Sequence, residues 1–288
     1  MARPRGGRCA QNNSGNEPVE VKIHPLWIIY KVTILNHYIE LNKDSDDALW
    51  LVIHSGSRNL GKQVAEWYQN LAVCTLQDQY TAKKFDLIES LKVQGRYGEI
   101  QEALSKLEKP PVTGLEYLEG GNVKMYLHDM EICQAWAADN RRLMAEELIK
   151  AMNWGYTSIV ESVHNYIDIE NEIIRKGAIS AQKDEPCLIP LNMRDGTLLC
   201  VGKGNEDWNY SAPHGAGRLM SRSKAKQEIT LEAFQDSMKD VYSSTVCEAT
   251  IDESPFAYKD MEEIMRAVEP TVEIYDRLIP IYNYKATT

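Results

Sequence analysis

From Val123 to Trp154 apolar residues recur at helical spacing, with Met125, Ile132, Trp136, Leu143, Ala145 and Leu148 on or near one stripe. A helix of this length with one apolar side needs an apolar layer to lie against. Both flanks offer one. Upstream, Trp27 to Leu41 and Leu49 to Ile53 are rich in Ile, Val, Leu and Tyr and read as strands. Downstream, short strands at Ala178 to Ala181, Leu188 to Pro190 and Thr197 to Val201 are separated by Gly, Pro, Asn and Asp turns. A helix is expected over Ser57 to Leu76. A surface helical insertion over about 77–120 then contains Phe85 to Val93 and Ile100 to Leu107, with Lys109-Pro-Pro111 and Gly120-Gly121 as breakers. Leu231 to Val241 and Lys259 to Leu278 read as two more helices, followed by a short apolar tail ending at Lys285. Strands and helices mix without regular alternation and no internal repeat is visible, so the expected class is α+β, a mixed sheet core with surrounding helices.

A chain of 288 residues with 43% hydrophobic content can bury a sizeable core. The first 23 residues lack an apolar stretch and are expected to be a disordered lead, leaving 24–288 as the folded unit. The net charge of -10 argues against a uniformly basic nucleic-acid surface, so contact with a polyanion must be local. No run reaches the roughly 18 apolar residues of a membrane span, and Pro25 to Leu35 is short and interrupted by Lys31. Six dispersed cysteines without a Cys-x-x-Cys pair point to a reduced, cytoplasmic setting rather than a disulfide scaffold or zinc knuckle.

Four of the six histidines sit beside small or amide residues: Asn36-His37, His54-Ser-Gly-Ser-Arg58, His164-Asn165 and His214-Gly-Ala-Gly-Arg218. Imidazole is a good ligand for Mn, Fe, Zn or Ni, yet a solitary histidine is more often a hydrogen-bonding side chain, and these spacings neither support nor exclude a shared site. The glycines after His214 let backbone approach a phosphate, and Arg218, Arg222, Lys224 and Lys226 form a basic cluster in an acidic chain. A glycine turn before a solvated basic helix fits the same residues. Val201-Gly-Lys-Gly-Asn205 lacks Walker spacing and reads better as a tight turn, and Arg175-Lys-Gly-Ala178 could be a glycine-capped helix end.

Taken in order, Asn36-His-Tyr-Ile-Glu40, His54-Ser-Gly-Ser-Arg-Asn-Leu-Gly61, His164-Asn165, Arg175-Lys-Gly-Ala178, His214-Gly-Ala-Gly-Arg218 with Ser221-Arg222, and Ala257-Tyr-Lys259 resemble the successive motifs of the RtcB family of RNA ligases. The resemblance runs from about Asn36 to Lys285. It implies a GTP- and Mn2+-dependent ligase that joins an RNA 3′-phosphate or 2′,3′-cyclic phosphate to a 5′-hydroxyl, in tRNA splicing or RNA repair. By the same resemblance His214 is the nucleophile that carries guanylate, and His37, His54 and His164 are manganese ligands. The GTP contacts implied are Asn36, Glu40, His164, Asn165, Pro190, Leu191, Asn192, Met193, Thr197, His214, Gly215, Ala216, Gly217, Tyr258 and Lys285. Arg58 and Arg222 match arginines that hold RNA or phosphate.

The family also carries, before its first metal histidine, an Asp-x-His-x-Gly run and a glycine-rich motif whose Asp and Cys ligate manganese. Met1 to Leu35 contains neither, and Cys9 does not match. The ligase domain is therefore expected to be incomplete at its N-terminus. A non-catalytic homologue that binds RNA or nucleotide is the alternative.

Overall fold

A computed structural model describes the backbone of residues 26–31 and all of residues 37–285. The expected lead, 1–23, and Asn36 lie outside the described residues. Two sheets and two long helices organise the described residues. The larger sheet has seven strands, β1 (Leu26–Lys31), β2 (Tyr38–Lys43), β3 (Leu49–His54), β4 (Tyr156–Ser162), β7 (Pro186–Pro190), β8 (Thr197–Gly202) and β10 (Val272–Lys285), in the order β4-β1-β3-β2-β10-β8-β7. β1 runs parallel to β3 and β4, and the other pairings are antiparallel. The sheet curls until its edge strands β4 and β7 approach each other. A smaller antiparallel sheet holds β5 (His164–Asp168), β6 (Ile173–Ser180) and β9 (Ser211–Pro213) in the order β5-β6-β9. The α+β expectation therefore holds.

The segment expected as one strand, Trp27 to Leu41, contains two strands. β1 is parallel to β3 and β2 antiparallel to it, so the chain must reverse between them. Alternation along β2 and β3 then divides their side chains. Leu49, Leu51, Ile53, Ile39 and Leu41 pack on α3 (Gly121–Met152), whereas Trp50, Val52 and Tyr38 turn to the inner face with Leu188, Leu199 and Leu278. His54, Glu40 and Asn42 share that inner periodicity.

The first helix, α1 (Arg58–Val93), runs well past Leu76 because no glycine or proline interrupts it after Gly61. The expected insertion is thus the far half of α1 followed by α2 (Ile100–Lys106) and a loop back to α3. α3 closes on Asn153 in the left-handed conformation. Its buried row is Cys133, Ala137, Arg141, Ala145 and Ile149, which shares Ala145 with the expected stripe, and Leu148 of that stripe packs against the same core while the other four members do not. Small residues at four-residue spacing let the helix approach its neighbours closely, and Met125, Ile132, Trp136 and Leu143 face outward at 47–54% exposure.

The C-terminal region departs most from expectation. α6 (Met261–Val268) starts at an Asp260 cap, and Pro270 then prevents a helix from continuing to Leu278. Val272 to Lys285 instead forms the longest strand, β10, which joins β2 to β8. Val272 and Ile274 pack with Ile264 and Val268 of α6, Leu198 and Cys200 of β8 and Ile179 of β6. Strands β4 and β5 form where no strand was expected, and Arg175-Lys-Gly-Ala178 lies within β6 rather than at a helix end. The helix expected at Leu231 to Val241 stops earlier, as α5 (Leu231–Ser237) with Thr230 as its cap. α4 (Arg222–Glu228) begins at a Ser221 cap.

Candidate active site

The small sheet carries several of the candidates, with His164 and Asn165 at the start of β5 and Gly177 within β6. Arg175, 2% exposed, fastens the small sheet: it donates to Asp168 at 2.7 Å, to the Tyr166 hydroxyl at 2.9 Å and to Ser211 Oγ at 2.9 Å. A buried arginine with this many partners fixes the strands' relative positions. His214 follows directly after β9. Its Nδ1 lies 2.7 Å from the Gly177 carbonyl oxygen, which can only accept. Nδ1 is therefore the donor, and in the neutral ring Nε2 carries the lone pair. Gly177, at φ 70°, is itself held by Asn165, whose Oδ1 accepts its N–H at 2.6 Å. The imidazole is thus oriented through Asn165, Gly177 and Nδ1 in turn. The His164 ring stacks on that of His214, centroid to centroid 4.7 Å, and is completely buried.

On the other side of His214 lies a cavity of about 260 Å³. Glu40, Pro190 to Met193, His214 to Gly217, Tyr258 and Lys285, all expected at the nucleotide, line it together with Tyr38, His54, Gly196 and Arg218. The wall is locked by backbone contacts. Ala216 N–H donates to Pro190 O at 3.1 Å, and Leu191 N–H donates to Gly196 O at 2.7 Å. Gly196 is required there, because an added β-carbon would sit 1.9 Å from the Leu278 oxygen.

A charged network floors the cavity. Asn283 donates to Glu40, and Lys285 is paired with Glu253. Tyr258 donates to Glu253 at 2.5 Å, and Arg218 approaches the Tyr258 hydroxyl at 3.3 Å. Burial raises the Glu40 carboxyl to about 7, with Asn283, Lys285 and Asn42 pulling the other way. Burial also pulls on Glu253, but Lys285, Tyr258 and Arg222 outweigh it and hold that carboxyl below its ordinary value. Burial, then the charge of Glu253, pushes the Tyr258 hydroxyl upward.

The remaining candidates are placed differently. Thr197 is buried in β8 opposite Pro190 and Leu278 and does not line the cavity. His164 and Asn165 border a second cavity, of about 370 Å³, against α1 and α3. His37, His54 and Arg58 line a third, of about 260 Å³. Arg222 donates to Asp252 and Glu253, each at 2.6 Å. The His54 and His164 rings stand 5.8 Å apart. Among the described residues no three His, Cys, Asp or Glu side chains form a set that could hold a metal ion. Of the three histidines expected to ligate manganese, His37 and His54 share one cavity and His164 stacks on His214, without making up a complete site among those residues. Glu253 and Asn283 are members of the floor that the sequence did not suggest. Asn283 alternates with Lys285 along β10, a signal hidden while that segment read as a tail.

An oriented imidazole at the mouth of a glycine-walled, carboxylate-floored cleft, set in an α+β fold, is the arrangement on which the comparisons bear. The chain belongs to the RtcB family: the profile described as "tRNA-splicing ligase RtcB" matches residues 35–286. It is 30% identical over 260 residues to the RNA-splicing ligase RtcB of Escherichia coli (strain K12), covering 83% of this chain and 56% of that protein. It is 28% identical over 253 residues to the tRNA-splicing ligase RtcB of Aeropyrum pernix (74% and 47% covered). It is 25% identical over 254 residues to the RNA-splicing ligase RtcB of Mycobacterium tuberculosis (77% and 53%). The chain spans about half the length of these curated relatives. No helix among the described residues is long and apolar enough to cross a membrane.

Proposed function

We propose that the chain is an RNA ligase that joins an RNA 3′-phosphate or 2′,3′-cyclic phosphate to a 5′-hydroxyl through guanylate attached to His214. The observation that carries the reading is the Nδ1 contact of His214 with the Gly177 carbonyl, because it presents Nε2 as the nucleophilic nitrogen beside the cleft. Glu40 and Lys285 supply buried polar groups for a purine edge, and Gly215 and Gly217 keep the wall low enough for phosphate to approach. GTP would supply an activated α-phosphorus. His214 Nε2 forms the bond to that phosphorus as the bond to pyrophosphate breaks. The guanylate then passes to the RNA 3′-phosphate, which for a 2′,3′-cyclic end forms first as water attacks the phosphorus and the bond to O2′ breaks; the imidazole is restored, and GMP leaves when the 5′-hydroxyl attacks.

Manganese belongs to this proposal as the ion that His37, His54 and His164 would meet, with imidazole as a suitable donor; the described residues alone do not complete its site, and no step is derived through it. That incompleteness favours a second reading, a homologue that binds nucleotide or RNA without turnover. Labelled GTP with manganese, followed by RNA bearing 3′-phosphate and 5′-hydroxyl ends, separates the two. A covalent adduct and joined RNA support the ligase. RNA binding without an adduct supports the non-catalytic reading.

A further inference from the structure

The turn after β3 carries backbone strain beside the cavity shared by His37 and His54. Arg58 has φ 55°, a left-handed conformation that a residue with a β-carbon keeps only when its surroundings over-determine it. The turn does not restrain itself by a helix cap, since Ser57 makes no side-chain cap bond to α1. The restraint comes instead from α3, more than eighty residues along the chain. Asn140 Nδ2 donates to Ser55 Oγ at 3.1 Å and to the Gly56 carbonyl at 3.4 Å. Arg141, only 1% exposed, donates Nη1 to the Ser55 carbonyl at 3.3 Å and is paired through Nη2 with Glu161 on β4. Two adjacent side chains therefore grip two successive residues of the turn.

The strand ladder already holds the preceding histidine. His54 pairs with Lys31 of β1 on one side and with Tyr38 of β2 on the other. Arg58 lies beyond the ladder, at the edge of the cavity that Asn140 also lines. Loosening the grip would therefore redirect Arg58 and leave His54 in place.

We propose that Asn140 and Arg141 are positioning residues: they hold the Ser55–Arg58 turn in its strained form and so aim the Arg58 guanidinium at an RNA phosphate bound beside His54. The identity of the anion rests on the ligase reading; the restraint of the turn does not. The pair touches no substrate itself and acts through Arg58. Arginine is suited to the task because its rigid fork matches phosphate only when its base is fixed.

The test uses the full chain and a short RNA ending in a 3′-phosphate. Equilibrium binding across a salt series is measured for the wild type, Arg58→Ala, Asn140→Ala, Arg141→Lys and the Arg58→Ala/Asn140→Ala pair, with amide hydrogen exchange followed at residues 55–59. Each single variant is expected to weaken binding about fivefold, the worth of one hydrogen bond, and to lower the salt slope by about one phosphate contact. The double variant binds no more weakly than Arg58→Ala, and Asn140→Ala speeds exchange at the turn alone. Losses that add in the double variant, or unchanged exchange at 55–59, overturn the proposal. A wild-type protein that binds no RNA sinks the ligase reading instead, and exchange then decides the restraint by itself.

Discussion

The two sides of His214 are built to different degrees. On the side of the glycine run, β2, β10, the 190–196 loop and the residues after His214 close one cavity, and its floor of Glu40, Asn283, Lys285, Glu253 and Tyr258 is joined by hydrogen bonds and ion pairs. On the histidine side, His37, His54 and His164 come from separate strand ends: His37 and His54 share one cavity, His164 borders another, and the His54 ring, which also reaches the first cavity, stands 5.8 Å from that of His164. The first side is specified by short loops and one continuous strand, the second by convergence of distant segments. The lesson is that orientation of the His214 imidazole and completion of a histidine set are separable: Asn165 and Gly177 fix the ring through their own hydrogen bonds.

If the floor of the first cavity is a single network, the largest effect follows from removing its buried cation. Lys285→Met should lower unfolding free energy by about 3–5 kcal/mol in urea melts, since Glu253 loses a buried partner. A loss under about 1 kcal/mol would show that Arg222 and Tyr258 together satisfy Glu253 without the lysine.

The pH dependence sharpens the same contrast. Because folding raises Glu40 from an ordinary 4.5 to about 7, the folded state binds the extra proton between those values. Its contribution is present below about 4.5 and is lost as pH rises through 7, roughly 3 kcal/mol in all. Glu253, lowered by folding, acts oppositely: its contribution is present at neutral pH and is lost as pH falls below the ordinary carboxylate range. Glu40→Gln should flatten the slope between pH 5 and 7 and leave the acid limb intact. A Gln variant with the wild-type slope would remove Glu40 from the network.

On the histidine side, His164→Ala should cost about 2 kcal/mol through the hole it opens between two cavities. The smallest effect is expected at the orienting bond. Asn165→Ala should cost about 1 kcal/mol, read by thermal unfolding, yet slow attachment at His214 by more than that stability loss explains. Equal damage to stability and attachment would make Asn165 merely structural.

Much of this contrast was legible in the sequence. The glycines and histidines that mark loops stood out because their chemistry is local, and the His214 to Gly217 and Pro190 to Met193 segments do line one cavity. The α+β class followed from the mixture of patterns. What stayed hidden depended on tertiary contacts. Lys259 to Leu278 has enough charged residues to read as helix, but Pro270 and pairing with β8 turn its second half into the start of β10, which then continues along β2. Asn283 acquires its place only through that pairing. The apolar stripe of α3 placed Ala145 and Leu148 correctly but missed Cys133, Ala137 and Arg141, because small residues and an arginine look unremarkable in a hydrophobic pattern. Glu253 carries no local signature, since its role comes from Lys285, 32 residues away.

The central claim is that His214 is an oriented nucleophile beside a nucleotide cleft, and covalent labelling tests it most directly. Wild-type protein incubated with manganese and GTP labelled at the α-phosphorus should form an acid-labile, alkali-stable adduct that His214→Ala abolishes while keeping its fold. An adduct of equal yield in His214→Ala, or none in a folded wild-type protein that binds GTP, would contradict the account.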